Sequence, residues 1–472
     1  MTGTPRSERI HIALFGCCNA GKSSLLNALT EKNLAIVSDQ PGTTTDPVAK
    51  SMELGELGAV CLTDTAGLDD NSELGSARSG KALAVLNTCD VAILVTPGNR
   101  PPQPAELAAL ERIAAASKPL LIARTFGELP ADTDKSAWLD TLLATGAKQT
   151  GDTAKKATEV EWGTSRSATV QVSAVKSDQA ADPGFSILHI LAVCPVDSPS
   201  GKGIAELRGC LSDIRAAIAR QKQEGLIPDK LRLGEPGPLD GLVNPGDLVV
   251  LVTPIDSAAP RGRMILPEAQ TLRDALDKDC ITITVRETQL AAALAALAKP
   301  PALVVTDSQA FAEVAALLPP EQRLTSFSIL FARKKGEINS YTKGMQRLDQ
   351  LADATTTAED RPTEPLRLLA IEACAHNRTH EDIATVKIPA LLEQRLQRPV
   401  VLTLSRCIED ELPAGQFDLV LLCGGCMATA NTVAQLHGRL TAASLPFVNF
   451  GLALAWLNGL YPRAVRGLGT QQ

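Results

Sequence analysis

Hydrophobic and polar positions alternate in blocks along the chain, and these blocks predict an α/β protein. Uninterrupted apolar runs at residues 11–15, 60–62, 91–95 and 120–123 are typical of buried parallel strands. Longer segments with helical periodicity lie between these runs. The alternation predicts a doubly wound α/β domain up to about residue 220. Residues 130–200 are rich in polar residues and predict an insertion or a mobile loop.

Two further blocks repeat this alternation, so we predict two smaller α/β domains after the first one. A segment rich in Gly and Pro at residues 224–246 and a charged, Thr-rich segment at residues 352–364 predict linkers. The three predicted domains cover residues 1–225, 240–350 and 362–472. Their predicted strands in the second and third blocks are residues 248–252, 281–285, 303–305, 366–373, 400–404 and 419–422.

Composition and charge exclude several classes of protein. The 472 residues carry a net charge of -7, which argues against a broad basic face for nucleic acid, so we expect no nucleic-acid partner. The polar first nine residues and the absence of a long apolar run predict neither a signal peptide nor a membrane span. We therefore expect a cytoplasmic protein whose 11 cysteines are reduced thiols or metal ligands.

A phosphate-binding motif follows the first predicted strand. Residues 16–23 fit the pattern G-x-x-x-x-G-K-S and open a predicted helix, which is the context that a P-loop requires. Backbone N–H groups of such a loop bind phosphates, while Lys22 reaches the β- and γ-phosphates and the Ser23 hydroxyl binds Mg²⁺. The predicted nucleotide-binding residues of this loop are Gly16, Asn19, Ala20, Gly21, Lys22, Ser23 and Ser24.

Two more segments complete a predicted nucleoside-triphosphatase site. Asp64 ends the next strand in the sequence Asp-Thr-Ala-Gly and can hold the Mg²⁺ shell, while the N–H group of Gly67 can contact the γ-phosphate. The sequence Pro-Gly-Thr-Thr-Thr-Asp at residues 41–46 is typical of a switch segment, in which a threonine closes over Mg²⁺. We favour Thr44 for this role, with Thr43 and Thr45 as alternatives.

The predicted catalytic residues are Lys22, Asn19, Thr44, Asp64 and Gly67. Leu68 stands where many GTPases place a water-orienting Gln, so the attacking water must be positioned otherwise. Asn19 matches a subgroup of GTPases in which an equivalent Asn binds K⁺; alternatively, Asn19 only shapes the loop.

Base recognition is less well defined by the sequence. Thr125 and Glu128 follow a predicted strand where guanine-specific proteins carry Asn-Lys-x-Asp, and the Glu128 carboxylate could pair with the guanine edge. Phe126 could cover the face of the base. The alternative interpretation is that these are ordinary loop residues. The sequence does not prove that the protein binds GTP in preference to ATP. Residues 173–174 and 197–198 are two candidates for the supporting base loop.

Cysteines mark a second candidate site in the last block. Cys423 and Cys426 end one predicted strand as Cys-x-x-Cys, and Cys374 and His376 follow another. Ligands cluster at the carboxyl ends of strands in open α/β sheets, so these side chains converge if the strands are neighbours. Three thiolates can hold a 4Fe–4S cluster, with His376 as a candidate for the fourth position. His380 and His437 are the other histidines of this block, and zinc or a redox dithiol remains an alternative.

The combined motifs resemble the HydF family of maturation GTPases of FeFe-hydrogenases. The strings at residues 37–48 and 64–70 carry this resemblance in the first block. Further matching strings lie at residues 254–256, 262–263, 306–309, 324–328, 372–376, 423–427 and 449–451, so the resemblance spans all three blocks.

The resemblance implies a P-loop GTPase domain, a dimerisation domain and an iron–sulfur cluster-binding domain. It implies a homodimer that binds a 4Fe–4S cluster through Cys374, Cys423 and Cys426, and a transient diiron subcluster received with two radical-SAM maturases and passed to apo-hydrogenase. Leu422 replaces a histidine that the family often shows before Cys-x-x-Cys. An RNA-directed GTPase and a zinc or redox regulatory GTPase are the alternative functions.

Overall fold

The structure is a computed structural model with two compact units. One unit covers Met1–Gly234 and the other covers Glu235–Gln472. The described residues are 4–30, 48–69, 82, 84–126, 170–175, 186–223, 233–255, 264–336, 338–353, 364–372, 383–405, 412 and 415–469.

The first unit is built on a seven-stranded sheet in the order β2-β3-β1-β4-β5-β7-β6. The five inner strands are parallel, and the edge strands β2 and β6 are antiparallel to their neighbours. The strands are β1 (Ile10–Phe15), β2 (Val48–Leu54), β3 (Gly58–Asp64), β4 (Val91–Pro97), β5 (Pro119–Thr125), β6 (Val170–Val175) and β7 (Ser186–Pro195). Every residue of β1, β4 and β5 is buried, which explains why their sequences are mostly apolar.

Helices cover the first sheet. They are α1 (Lys22–Thr30), α2 (Pro104–Ala115), α3 (Ile204–Ser212) and α4 (Ile214–Gln223). Helical periodicity extends over residues 203–221 of the sequence, and the structure divides this segment into α3 and α4 at Asp213. The Asp213 N–H still donates to the carbonyl of Gly209, and the Asp213 carbonyl accepts from Ala217. Leu207, Leu211 and Ile214 have the i, i+4, i+7 spacing of one helical face, and all three are buried in the core.

The prediction of an insertion or mobile loop at residues 130–200 is wrong for β7, which is an integral strand. β7 pairs in parallel with β5 over residues 119–124, and β6 pairs antiparallel with β7. A bulge between Leu120 and Leu121 adjusts the register of the first pair. The segment from residue 187 to residue 194, apolar except for His189, was the available signal, but the polar residues before it obscured the strand.

The second unit contains two four-stranded sheets whose strands are all parallel. Their orders are β11-β10-β8-β9 and β13-β12-β14-β15. The strands are β8 (Leu248–Val252), β9 (Ile281–Val285), β10 (Leu303–Thr306), β11 (Leu324–Ser326), β12 (Leu366–Ile371), β13 (Val400–Ser405), β14 (Leu419–Leu422) and β15 (Phe447–Asn449).

Nine helices of the second unit are described. They are α5 (Leu266–Asp277), α6 (Leu290–Ala295), α7 (Phe311–Ala316), α8 (Phe327–Lys335), α9 (Thr342–Asp353), α10 (Ile388–Leu396), α11 (Ala430–Ala442), α12 (Phe450–Leu457) and α13 (Tyr461–Ala464). These helices and the two parallel sheets confirm the α/β class predicted for both blocks. The exact domain boundaries predicted from the sequence remain a prediction.

One hydrophobic core runs through both sheets of the second unit. It includes Val250 of β8, Leu369 of β12 and Leu421 of β14, all fully buried. Helix α8 lies in this core because its apolar residues Phe327, Ile329, Leu330, Phe331 and Ala332 are all buried. The helix begins after Ser326, whose hydroxyl accepts a hydrogen bond from the Ile329 N–H group. The second and third sheets are therefore held together by side chains rather than by chain connectivity alone.

In the described part of the chain, no helix has both the length and the apolar character that a membrane crossing requires.

Candidate nucleotide site and candidate cluster site

The phosphate-binding loop connects β1 to α1, as the sequence predicts. Gly16 has a φ of 155°, and a Cβ atom there would lie 2.2 Å from the carbonyl oxygen of Val95. Gly21 has a φ of 96° and packs against Thr125 and Phe126. Asn19 has a φ of 59°, a left-handed conformation that Asn tolerates better than most residues. These backbone requirements hold the loop in a tight turn at the N-terminus of α1, where N–H groups can bind phosphate.

Lys22 lies inside this turn. Its ammonium group donates to the carbonyl oxygens of Gly16 at 3.0 Å and Cys17 at 2.9 Å. Burial lowers the pKa of Lys22, while the negative charge of Asp64 acts in the opposite direction. The loop therefore holds a desolvated cation beside the N–H groups of a helix N-terminus, which together favour a phosphate anion.

Ser23 and Asp64 meet as the Mg²⁺ prediction requires. The Ser23 hydroxyl donates to Asp64 Oδ2 at 2.5 Å. Asp64 Oδ1 is buried and has no hydrogen-bond partner among the described residues. A buried carboxylate oxygen without a partner beside a hydroxyl oxygen fits a small, hard cation such as Mg²⁺, which prefers oxygen ligands. Parallel pairing of β1 with β3 sets this contact, because Leu14 and Asp64 are register partners.

The segment after Asp64 packs directly on the phosphate-binding loop. A Cβ atom on Gly67 would lie 2.2 Å from Cys18 Sγ, so only glycine fits there. The Leu68 N–H group donates to Gly16, and the Cys18 N–H group donates to Asp69 Oδ1 at 2.5 Å. Burial opposes ionisation of Asp69, but the hydrogen bonds from Cys18 lower the pKa of its carboxyl. Asp69 carries no signal in the sequence other than its position two residues after Gly67.

Thr125 contacts the phosphate-binding loop in the structure. Its hydroxyl is buried and donates to the carbonyl oxygen of Ala20 at 2.6 Å. This hydrogen bond ties the end of β5 to the loop, so Thr125 supports the phosphate site. Phe126 follows with a φ of 51° and an exposed fraction of 48%, and its ring lies beside Gly21. An exposed ring at this position can cover the face of a base.

The topology separates the two candidates for the supporting base loop. β7 is parallel to β5, and the Val196 N–H group donates to the carbonyl oxygen of Arg124 at 2.8 Å. Residues 197–198 therefore lie at the same edge as Thr125. β6 is antiparallel to β7, and its Val175 pairs with Ser186 at the start of β7. Residues 173–174 are thus near the opposite edge, so residues 197–198 are the better candidate.

Four other residues were predicted to belong to the nucleotide site. Two of them are described, and two lie outside the described part of the chain. Ala20 is buried beneath the loop, and Ser24 is exposed in the first turn of α1. The predicted switch residue Thr44 and the predicted base-reading residue Glu128 both lie outside the described residues. Their roles remain predictions.

The Cys423-x-x-Cys426 loop lies at the carboxyl end of β14, as predicted. β14 is the parallel neighbour of β12, and the Cys423 N–H group donates to the carbonyl oxygen of Ile371 at 3.1 Å. Gly425 has a φ of 63°, and its carbonyl oxygen accepts from the Ala428 N–H group at 3.0 Å, which closes the turn. Cys423 and Cys426 are both partly exposed.

Two members of the predicted cluster set fall outside the described part of the chain. Cys374 and His376 lie outside the described residues, although β12 ends at Ile371, three residues before Cys374. Among the described residues alone, no group of three or more His, Cys, Asp and Glu side chains could hold a metal ion. Nine cysteines are described, and none of them forms a disulfide. Thiolates on adjacent strand ends fit an iron–sulfur cluster chemically, but the assignment stays a prediction.

His437, an alternative fourth ligand, is buried beside Cys423. The two residues line one small cavity. Burial lowers the pKa of His437 to about 4, so its imidazole is neutral at physiological pH. The ring packs against Tyr341 and Phe447, and its Nδ1 atom lies 3.3 Å from the Ser340 hydroxyl. These contacts give His437 a packing role on α11.

Three family models match the chain. Residues 11–125 match a 50S ribosome-binding GTPase, residues 239–336 match the hydrogen maturase F dimerization domain, and residues 340–467 match the hydrogen maturase F tetramerization domain. The chain therefore has a GTPase domain followed by the two domains of a hydrogenase maturase. The resemblance in the sequence is confirmed, as is the predicted order of a P-loop GTPase domain and two smaller α/β domains. The sequence predicted an iron–sulfur cluster-binding domain at residues 362–472 and did not predict that this region would match a tetramerization domain.

Two curated relatives match the GTPase region. A tRNA modification GTPase MnmE from Methylobacterium radiotolerans is 38% identical over 130 residues, which is 26% of this chain and 27% of that protein. A GTPase Der from Xylella fastidiosa is 39% identical over 121 residues, which is 25% of this chain and 26% of that protein. The chain thus spans about a quarter of the length of these relatives.

Among solved structures, the G domain of the Thermotoga maritima (T. maritima) FeoB iron transporter is similar at 21% identity and a TM-score of 0.26. The match covers 43% of this chain and 98% of that one. At so low a TM-score this likeness carries no argument.

Replacing Thr125 tests its assignment as a support of the phosphate-binding loop. Thr125→Val removes the hydroxyl and leaves the buried Ala20 carbonyl oxygen without its donor. An unsatisfied buried carbonyl destabilises this conformation of the loop by about 1–3 kcal/mol. We expect GDP and IDP to bind more weakly by the same factor, because guanine contacts are unchanged. Titration calorimetry with both nucleotides measures this, with Thr125→Ser as the hydroxyl-retaining control. A selective loss of GDP would show instead that Thr125 reads the base.

Proposed function

The chain belongs, by its domain architecture, to the HydF hydrogenase maturases, and on this premise we propose that it is a GTP-hydrolysing scaffold for FeFe-hydrogenase maturation. In this proposal it binds a 4Fe–4S cluster, carries a diiron precursor and delivers it to the apo-hydrogenase. Two radical-SAM maturases supply the precursor, and the scaffold acts as an oligomer with at least a homodimer as its unit. The observation that carries the proposal is the match of two hydrogen maturase F domains over residues 239–467.

The Cys423-x-x-Cys426 loop supports the cluster-binding part of this proposal. It lies at the carboxyl end of β14, beside the end of β12 that leads to Cys374. Cys374, Cys423 and Cys426 would hold three irons of the cluster, with His376 proposed for the fourth. A cluster with a weakly ligated iron at the edge of a parallel sheet is accessible to a second metal unit and to a partner protein.

The GTPase domain acts on nucleotide through the residues around the phosphate-binding loop. Lys22 and the loop N–H groups would hold the phosphates, and Ser23 and Asp64 would hold Mg²⁺, which neutralises charge on the β- and γ-phosphates. Leu68 offers no polar group to the attacking water. We propose that Asn19 binds K⁺, that Thr44 and Gly67 contact the γ-phosphate and its metal, and that Glu128 reads the guanine edge.

An RNA-directed function is the second candidate, because the matched relatives include a tRNA modification GTPase. That similarity ends with the GTPase region, and the second unit matches hydrogenase maturase domains instead. The net charge of -7 also disfavours binding to RNA. The maturase role is therefore the better-supported proposal.

Iron uptake tests the cluster proposal. We expect anaerobic reconstitution to give about four irons per chain, and reduction with dithionite to give a 4Fe–4S electron paramagnetic resonance signal. Cys423→Ala and Cys374→Ala remove a ligand, so both should lose the signal while GTP hydrolysis persists. Cys280→Ala is the matched control, because Cys280 is a cysteine of the same unit beside β9 and outside the loop. Stoichiometric zinc without sulfide in the wild type would contradict the proposal and favour a zinc site.

The Asn19→Gly variant distinguishes the two hypotheses for Asn19, which are K⁺ binding and shaping of the loop. Glycine adopts the left-handed conformation of this position readily, so the loop keeps its shape while the side-chain amide is lost. If the amide binds K⁺, the variant should lose the stimulation of GTP hydrolysis by K⁺ over Na⁺ and retain its affinity for GDP. Equal stimulation in the variant and the wild type would refute the K⁺ role and leave Asn19 as a loop-shaping residue.

A further inference from the structure

A buried lysine supports the far end of the cysteine loop. Lys335 is the last residue of α8, and its side chain is 1% exposed. Its ammonium group donates to the carbonyl oxygen of Ala428 at 2.5 Å and to Glu235 Oε1 at 2.7 Å. Ala428 lies two residues after Cys426 and closes the turn through its own N–H group. One hydrogen bond from α8 therefore reaches the backbone of the loop that presents both thiols.

Glu235 extends this support to the helix that follows the loop. Its Oε1 atom also accepts from the N–H group of Ala430, the first residue of α11, at 2.9 Å. Its Oε2 atom lies 3.3 Å from the ammonium group of Lys334, which is 8% exposed. The carboxylate thus joins the end of α8 to the start of α11 on the far side of Cys426.

Among the residues that the structure describes, the charges of this network do not balance. Two ammonium groups face one carboxylate, and the other partner of Lys334 is the neutral amide oxygen of Gln270. Burial lowers the pKa of Lys335, while Glu235 acts in the opposite direction. A desolvated cation is costly unless an anion lies nearby, so a surplus positive charge here indicates that the site is built to face further negative charge.

The cysteine loop is one place where that negative charge can lie, because it shares a cavity with Lys335. Lys335 and Cys423 line the same small cavity, together with Tyr341 and His437. Thiolates and the cluster that they bind are negatively charged, and net charge and hydrogen bonding are among the factors that set the reduction potential of such clusters.

We propose that Lys335 is a positioning residue for the iron–sulfur cluster, which holds the Cys423–Cys426 loop through Ala428 and offsets the negative charge of the cluster. The inference rests on the proposed function, because it requires a cluster on these thiols. If Lys335 had a purely structural role and only neutralised Glu235, the midpoint potential of the cluster would stay at the wild-type value in the variants tested below.

The test is a redox titration of the anaerobically reconstituted full-length chain, followed by electron paramagnetic resonance. In Lys335→Gln, loss of the positive charge disfavours the reduced cluster, so the midpoint potential should become more negative by ~59 mV. For a one-electron couple, this shift means about a tenfold lower ratio of reduced to oxidised cluster at a given potential. Lys335→Arg keeps the charge and should restore most of the wild-type midpoint. Lys334→Gln is the matched control, because it removes a charge from the same carboxylate without touching Ala428, and its shift should be less than half as large.

A second variant covers the case in which Lys335→Gln fails to fold or to retain iron. Glu235→Gln leaves both ammonium groups and removes their counter-charge, so its midpoint should move to more positive values, the opposite direction. Midpoints of Lys335→Gln and Glu235→Gln equal to the wild type would overturn the inference, as would equal shifts in Lys334→Gln and Lys335→Gln. A wild-type chain that takes up no iron would overturn the cluster proposal itself and this inference with it.

Discussion

Parallel pairing of neighbouring strands is the constraint on which both sites depend. Because the strands run in one direction, the loops that follow them meet at one edge of each sheet. β1 and β3 end together, which brings the phosphate-binding loop to Asp64. β12 and β14 end together, which places the Cys423 loop beside the segment leading to Cys374. The chemistry differs between the two units, but the same geometry positions it.

Side-chain packing then decides how rigidly each loop is held. In the first unit, the Thr125 hydroxyl donates to the carbonyl oxygen of Ala20 and Gly67 packs against Cys18, so both contact the phosphate-binding loop. In the second unit, α8 belongs to the core shared by both sheets and reaches the cysteine loop through Lys335. The helix that matches a dimerization domain therefore also supports a loop of the domain that follows it. A change in the packing of α8 would reach the cysteine loop through this hydrogen bond and through the contacts of Ser328 and Phe331 with Gly424.

Much of the fold was predictable because the buried strands contain uninterrupted apolar runs, as in β4, β5 and β8. β7 was missed because the polar residues before it suggested an insertion, and pairing with β5 is a long-range contact that local sequence does not show. The phosphate-binding loop was predictable because its glycines are required by geometry. Thr125 was predicted to recognise the base, and its contact with the phosphate-binding loop was not predictable because the hydrogen bond to Ala20 depends on how β5 and the loop pack. Lys335 carried no local signal, because only the fold brings it to Ala428.

Delivery of a diiron unit is the central claim, and activation of a partner measures it most directly. The reconstituted chain would be loaded anaerobically with a synthetic diiron complex, freed of excess complex by gel filtration and mixed with apo FeFe-hydrogenase that already holds its own 4Fe–4S cluster. Hydrogen evolution from reduced methyl viologen would then be followed. The account predicts hydrogen evolution with the wild-type chain and none with the Cys423→Ala chain treated identically. No hydrogen evolution from a wild-type chain that holds both iron units, under conditions in which a known maturase activates the same apo-hydrogenase, would contradict it.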